Sequence, residues 1–239
     1  MKAVVLAAGE GTRLRPFTKV LPKPLLPVGE KPMLDIILRQ LAHYGFTEII
    51  VTACWLRESV RLFLQTMQQE LPDVQLTYVG QDKLMGTAGG ISSLPGLQGE
   101  AFLVMNADVL TTMNYGDLMR YHREKQAALT IGMYEKKVKI SLGVLQADAD
   151  HHLLGWAEKP ETVHSVSMGI YVVDPSLLTY IPPDDYMDMP TLARQLISEG
   201  KPVRVYPFHG HWIDIGRPED FTEAQEQFER LKDEFLPKG

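Results

Sequence analysis

Short apolar runs alternate with amphipathic stretches through the first half of the chain. The apolar runs are continuous, which is typical of strands that are buried on both faces of a sheet. Such strands are predicted over residues 2–8, 48–54, 74–80, 101–107 and 127–133.

The stretches between these runs have the spacing of helices. Between Pro32 and Tyr44 the apolar residues recur every three or four positions, and Gly45 follows as a C-terminal cap. Further helices are predicted over residues 56–69, 115–125, 189–199 and 218–235. Strands that alternate with helices predict an α/β fold with a mostly parallel sheet and helices on both faces. Ligands of such sheets bind beyond the carboxyl ends of the strands.

The pattern changes after about residue 135. Strands are predicted over residues 140–148, 165–174 and 202–208, with little helix between them. We expect these strands to form an antiparallel extension or small lobe over the sheet.

Composition narrows the class of protein. The chain has 239 residues, of which 45% are hydrophobic and 23% charged, as in an ordinary globular protein. Its net charge of −6 argues against a nucleic-acid partner. Cys54 is the single cysteine, so no internal disulfide forms, and no signal peptide or apolar membrane span is evident. We therefore expect a cytoplasmic protein without a membrane partner.

A glycine turn follows the first strand and leads into a basic segment. The residues Gly9 and Gly11 fit the start of a dinucleotide fingerprint, but Leu14 stands at the third glycine position, and no P-loop sequence is present. Glycines let backbone N–H groups approach phosphate oxygens, and the cations Arg13, Arg15 and Lys23 can neutralise phosphate charge. The turn therefore predicts a phosphorylated ligand, the alternative being a tight turn beside a solvated basic stretch.

The chain resembles the sugar-1-phosphate nucleotidyltransferases, also called nucleotide-sugar pyrophosphorylases. The resemblance rests on LAAGEGTRLRPFTKVLPKPLLPVGEKPML, GTAGGI, NAD at 106–108, EKP at 158–160, MGIYVVD and WIDIGRPEDF. It implies a Rossmann-like nucleotidyltransferase fold with a mostly parallel mixed sheet and a small sugar-binding lobe. The implied reaction joins a nucleoside triphosphate to a sugar 1-phosphate, releases pyrophosphate and requires Mg²⁺; a homodimer is implied as well.

The resemblance also implies how the chain is divided. A single domain over 1–239 would have a nucleotide-binding part at about 1–134, a sugar-binding part at about 135–217 and a C-terminal helix over 218–239.

Site residues follow from the same resemblance. It places Arg13, Lys23 and Lys159 in catalysis and assigns Mg²⁺ to Asp108 and Asp214, which also suit a hard cation by their oxygen ligands. The implied nucleotide-binding residues are Leu6, Ala7, Ala8, Gly9, Gly11, Thr12, Arg13, Gln81, Gly86, Thr87 and Asp108. The implied sugar-binding residues are Gly143, Glu158, Lys159 and Ser167.

The nucleobase is left open between two classes. Relatives that use UTP or dTTP often have Gln where this chain has Gln81, and an amide can both donate to a carbonyl and accept from an imino N–H. This favours a pyrimidine. A GTP-using mannose- or heptose-1-phosphate guanylyltransferase is the alternative, as is a non-catalytic regulatory subunit that binds nucleotide sugars.

Some positions depart from the family pattern. The residue Ala107 replaces a usual glycine beside the metal ligand, and Leu142 and Met168 replace polar or smaller residues near the sugar, which predicts added apolar bulk. A rival transition-metal site is suggested by His209 and His211, which are two residues apart and close to Asp214.

Overall fold

The computed structural model describes residues 1–183 and 185–236 as a mixed α/β fold. The strands are β1 (Lys2–Ala7), β2 (Pro27–Val28), β3 (Lys31–Pro32), β4 (Glu48–Ala53), β5 (Gln75–Gly80), β6 (Phe102–Asn106), β7 (Val109–Thr111), β8 (Leu129–Lys139), β9 (Val144–Ala147), β10 (Leu153–Ala157), β11 (Glu161–Val173), β12 (Val203–Phe208) and β13 (Trp212–Asp214). The helices are α1 (Met33–His43), α2 (Arg57–Glu70), α3 (Gly86–Gly89), α4 (Tyr115–Glu124), α5 (Met189–Ser198), α6 (Pro218–Arg230) and α7 (Lys232–Phe235).

A seven-stranded sheet in the order β12-β8-β11-β6-β1-β4-β5 forms the centre of the molecule. The strand β1 pairs in parallel with both β4 and β6, β4 with β5, and β12 with β8. The strand β11 alone runs antiparallel to its neighbours β6 and β8. The predicted mostly parallel mixed sheet is confirmed.

Side chains at alternate positions of the central strands pack into two separate hydrophobic cores, one on each face of the sheet. Val5 and Val51 pack on the face covered by α1, α2 and α4, whereas Val4, Ile50 and Val104 pack on the face that also contacts α3 and α5. Burial on both faces explains why these strands read as unbroken apolar runs. A third cluster, which includes Leu14, Val28, Ile213 and Phe228, joins the glycine-turn segment to α6.

The predicted helices are present, with one break. The helix expected over residues 218–235 divides at Leu231, whose backbone angles (φ −123°, ψ 27°) lie outside the helical region. Beyond the break, the buried Phe235 stacks on Phe228 with the ring centres 6.0 Å apart. The three residues 237–239 of the predicted helix lie outside the described residues.

The predicted antiparallel extension is present and begins in the main sheet. The strands β8 and β11 stay paired out to Lys139 and Glu161, and β9 pairs with β10 in a separate two-stranded sheet. The outer half of β8 was not predicted as a strand because most of its residues are charged; Lys137, for example, lies 3.6 Å from the carboxylate of Glu161. Among residues 1–183 and 185–236, no helix is both long and apolar enough to cross a membrane.

Candidate active site

A cleft of about 310 Å³ opens at the carboxyl edge of the sheet, above β1, β4, β5 and β6. This is the edge at which ligands of parallel sheets bind. The residues that line the cleft are Leu6, Ala8, Gly9, Thr52, Gln81, Leu84, Met85, Gly86, Thr87, Asn106, Asp108, Tyr186 and Asp188. Seven of the residues predicted to bind the nucleotide are among them: Leu6, Ala8, Gly9, Gln81, Gly86, Thr87 and Asp108.

The glycine turn is held by close packing beneath it. Gly11 has φ +62°, and a Cβ on it would lie 2.8 Å from Cγ2 of Thr18 and 3.2 Å from Cβ of Lys23, so this position requires glycine. Thr18 donates its hydroxyl to the Gly11 carbonyl at 2.8 Å. Leu14, at the position that breaks the dinucleotide fingerprint, is buried in the third core and anchors the turn.

A cation and a carboxylate meet beside the cleft. The ammonium Nζ of Lys23 lies 2.5 Å from Oδ2 of Asp108. The other oxygen of Asp108, Oδ1, is buried and has no hydrogen-bond partner among the described residues. A buried carboxylate oxygen without a partner is costly, so this atom is suited to a cation or a hydrogen-bond donor of the substrate complex.

Asp214 lies next to Asp108 because β13 pairs with β7. In that ladder Asp214 is opposite Val109, and the amide of Ile215 donates to the Asp108 carbonyl at 2.9 Å. Although part of Asp214 is exposed, the protein atoms around its carboxylate raise its pKa by desolvation, and the negative charge of Asp108 raises it further. The structure thus brings together the two carboxylates that the sequence places 106 positions apart.

Arg13 supplies a second cation on the same side. It extends from a short 3₁₀ helix (Thr12–Leu14), and a Cβ on Gly216 would lie 3.3 Å from its guanidinium. Its charge acts on Asp214 and lowers the pKa of that carboxyl, against the larger raising effects. The other basic residue of the turn, Arg15, lies 3.6 Å from Glu10 instead.

Two carboxylates with an unsatisfied oxygen fit a hard divalent cation whose remaining ligands come from substrate phosphates. In the part of the chain that the structure describes, no three His, Cys, Asp or Glu side chains are grouped to hold a metal ion by themselves. This disfavours the rival transition-metal site of His209 and His211.

At the end of the cleft away from Lys23, the wall is formed by the Gln81 side-chain amide and by tightly packed backbone around α3. The amide nitrogen of Gln81 donates to the Gly90 carbonyl at 3.0 Å, and its backbone N–H donates to the Ala53 carbonyl at 2.7 Å. Gly86 has φ +76°, and a Cβ there would collide with the Met187 carbonyl, so the wall is tied to the segment before α5. The hydroxyl of Thr87 accepts a hydrogen bond from the Met189 amide at 2.8 Å.

Several lining residues were missed from the sequence. Thr52 and Asn106 end apolar strands and carry polar side chains there, which is a signal that could have found them. Tyr186 and Asp188 belong to the segment before α5, and that segment carries no motif that would have placed it at the cleft.

Four of the predicted nucleotide-binding residues do not line the cleft, namely Ala7, Gly11, Thr12 and Arg13. Ala7 is buried on the opposite face of β1, because side chains alternate along a strand. Thr12 is exposed in the 3₁₀ helix that carries Arg13.

The predicted sugar residues divide into two groups. Ser167 donates its hydroxyl to the Tyr171 hydroxyl at 3.3 Å. Burial raises the pKa of Tyr171, and the negative charge of Asp188 in the cleft raises it further. Gly143 and Glu158 lie together on the extension beside Trp156, whose indole N–H donates to Glu158 at 3.2 Å.

Lys159, which follows Glu158, is exposed in the turn before β11, and its φ of +45° is uncommon for a residue other than glycine. These extension residues do not line the cleft itself.

One predicted departure has a different consequence from the one expected. Met168 is fully buried on the face covered by α1, α2 and α4, and its carbonyl accepts the indole N–H of Trp212. Its bulk therefore fills the core and does not narrow a sugar pocket. Leu142 is exposed on the extension.

Comparison with known proteins identifies the family. The model of the nucleotidyl transferase family matches residues 2–230. UTP–glucose-1-phosphate uridylyltransferase of Synechocystis sp. is 30% identical to this chain over 94% of it and 62% of the relative. Mannose-1-phosphate guanyltransferase of Schizosaccharomyces pombe is also 30% identical, over 92% of this chain and 62% of the relative.

Solved structures agree on the fold. UDP-glucose pyrophosphorylase in complex with UDP-glucose superposes with a TM-score of 0.73 at 20% identity, covering 96% of this chain and 98% of that one. This chain spans 62% of the length of the two curated relatives.

Proposed function

The chain belongs to the nucleotidyl transferase family, and from this membership we propose that it transfers a nucleotidyl group from a nucleoside triphosphate to a sugar 1-phosphate. A phosphate oxygen of the sugar phosphate attacks the α-phosphorus of the triphosphate. The bond from that phosphorus to the bridging oxygen breaks, and pyrophosphate leaves. One observation carries the proposal: the glycine turn, Gln81 and Asp108 line a single cleft, with Lys23 and Asp214 beside Asp108.

The chemical task of this site is electrostatic. Both reactants are polyanions, so the protein must hold them together and stabilise the charge that develops at phosphorus. The charges of Arg13 and Lys23 both act on Asp214, and Lys23 also pairs with Asp108, so we assign these two cations to the triphosphate. Lys23 is almost fully buried, so its charge is fixed in place before the substrate arrives.

The carboxylates Asp108 and Asp214 would hold Mg²⁺. The unpaired Oδ1 of Asp108 supports a cation at these two side chains, as does the pKa of Asp214, which desolvation raises and the negative charge of Asp108 raises further. Bound there, Mg²⁺ would supply a positive charge to the phosphate oxygens.

The sugar phosphate is assigned to the side of the site towards the extension. The Ser167 hydroxyl accepts the Gly169 N–H at 3.4 Å, and a Cβ on Gly169 would lie 2.8 Å from the Asn106 amide nitrogen, so Ser167 and Asn106 are both next to Gly169 there. Glu158 can accept hydrogen bonds from sugar hydroxyls, and Lys159 can pair with the sugar phosphate. Because these last two residues lie on the extension, their roles rest on the family motif EKP.

UTP or dTTP is the favoured triphosphate because of Gln81, and GTP is the second candidate because a relative of equal identity is a guanyltransferase. A grid of nucleoside triphosphates crossed with sugar 1-phosphates, read as pyrophosphate release with and without Mg²⁺, tests the proposal. We expect release with one sugar phosphate and a small set of triphosphates.

Binding of nucleotide sugar without pyrophosphate release from any pair would favour the regulatory alternative. The homodimer stays a prediction, which light scattering at assay concentration checks.

A further inference from the structure

A buried hydroxyl in the cleft has no hydrogen-bond partner in the part of the chain that the structure describes. The residue Thr52 is fully buried, it lines the cleft, and its Oγ1 makes no hydrogen bond to any of the described residues. Leaving a hydroxyl buried and unpaired costs stability, and native proteins rarely retain such a group without a use for it.

The position of Thr52 follows from strand register. In the parallel ladders, Leu6 of β1 is paired with Thr52 of β4 on one side and with Asn106 of β6 on the other. The residues two positions before Leu6, Thr52 and Asn106 are Val4, Ile50 and Val104, and all three pack on the face of the sheet that contacts α3 and α5. Side chains two apart in a strand share a face, so this row forms the floor of the cleft where the core ends.

Gln81 stands next to Thr52 at the same end. Its backbone N–H is bonded to the carbonyl of Ala53, the residue after Thr52. A Cβ on Gly90 would lie 3.4 Å from the Gln81 amide nitrogen and 3.6 Å from Cδ2 of Leu6, which places that amide over the same floor. One N–H of this nitrogen donates to the Gly90 carbonyl and fixes the amide plane, and the side-chain oxygen of Gln81 is its acceptor.

We propose that Thr52 and Gln81 together read an imino–carbonyl edge of the nucleobase, with Thr52 as a specificity-determining donor. The Gln81 oxygen accepts the imino N–H, and the Thr52 hydroxyl donates to the carbonyl beside it. Uracil, thymine and guanine all carry this N–H next to C=O. Cytosine and adenine present a ring nitrogen next to an amino group, which reverses both hydrogen bonds. The inference rests on the proposed function, since it assigns the base to this end of the cleft.

The covered position of Oγ1 favours discrimination. Solvent does not reach this hydroxyl, so a base can hydrogen-bond to it only when a neighbouring side chain shifts, and the bond then forms away from water. A site of this kind rejects a wrong base strongly, because the buried polar group would then be left unpaired.

The test compares Thr52→Val, which removes the hydroxyl at nearly constant shape, with Thr52→Ser, which keeps it. Binding of UTP, dTTP, GTP, CTP and ATP, each with Mg²⁺, is measured by calorimetry. We expect wild-type protein to favour one or more of the first three. Thr52→Val should weaken those by about tenfold and leave CTP and ATP unchanged, and Thr52→Ser should retain the preference. The UTP, dTTP and GTP arms identify which base is the ligand.

Thermal unfolding supplies a matched control. Thr130 is equally buried, but its hydroxyl is paired with Nδ1 of His122 at 2.8 Å, at the other end of the sheet. Thr52→Val should raise Tm by about 2–4 °C because it removes an unpaired group, whereas Thr130→Val should lower Tm and leave nucleotide binding unchanged.

The outcomes separate the two claims. If wild-type protein binds no triphosphate, the proposed function itself fails. If it binds triphosphates but all five equally, or if Thr52→Val keeps the wild-type preference or lowers Tm, the assignment of Thr52 is wrong while the proposed function stands.

Discussion

The ion pair of Lys23 and Asp108 gives a prediction whose size can be worked out. Their side chains are 10% and 25% exposed, and the charged atoms are 2.5 Å apart. Replacing Lys23 with methionine keeps the apolar stem and leaves Asp108 with no cation. Removing one partner of a fully buried pair costs about 3–5 kcal/mol. Because Asp108 keeps a quarter of its side chain exposed, we expect the lower value of about 2–3 kcal/mol.

Thermal unfolding without divalent cation measures this loss. For a chain of this length each kcal/mol corresponds to about 2–4 °C, so Lys23→Met should lower Tm by about 5–10 °C. Adding Mg²⁺ should recover more stability in this variant than in wild-type protein, because it gives Asp108 a positive partner again. A double-mutant cycle with Asp108→Asn should show a coupling energy of about 1–2 kcal/mol.

An exposed pair provides the control. Arg61 lies 2.7 Å from Glu58 on the surface of α2, and Arg61→Met should cost less than about 0.5 kcal/mol. If Lys23→Met lowers the free energy of unfolding by no more than this, or by the same amount in the Asp108→Asn background as in wild-type protein, the ion pair does not stabilise the fold. Its preorganising role would then be refuted.

The remaining predictions concern activity and pH. Asp214→Asn should abolish Mg²⁺-dependent pyrophosphate release while circular dichroism stays native, and near-normal turnover would remove this residue from the metal site. Lys159→Ala should raise KM for the sugar 1-phosphate more than KM for the triphosphate, and the reverse order would overturn its role. Gln81→Glu should shift the triphosphate profile away from UTP and dTTP, as competition between triphosphates would reveal. Burial lowers the pKa of His122 below its ordinary 6.5, so as the pH falls the unfolded chain binds the proton before the folded protein does. The free energy of unfolding should therefore fall from about pH 7 to about pH 5. Urea titrations at several pH values should show a weaker pH dependence of this free energy in His122→Gln than in wild-type protein.

The local pattern of the chain predicts most of the fold. The strands β1 and β4 and the helices α1 and α4 lie within about one residue of their predicted bounds, because their apolar periods come directly from burial. The outer half of β8 escaped prediction because it is stabilised by β11 and carries exposed lysines. The break at Leu231 escaped as well, because it depends on the packing of Phe235 against Phe228, which is a tertiary contact.

Some residues of the candidate site can be predicted from local motifs, whereas others depend on contacts between distant parts of the chain. Gly11, Lys23 and Asp108 could be found because each belongs to a motif written in consecutive residues. The polar ends of their strands could have indicated Thr52 and Asn106 as site residues, but only the pairing of β1 with both β4 and β6 sets these side chains beside Leu6. A shift of one residue in either ladder would turn the polar side chain to the other face and leave an apolar floor. Motifs therefore predict where phosphate and metal would bind in this chain, whereas strand register determines which side chains we propose to meet the base.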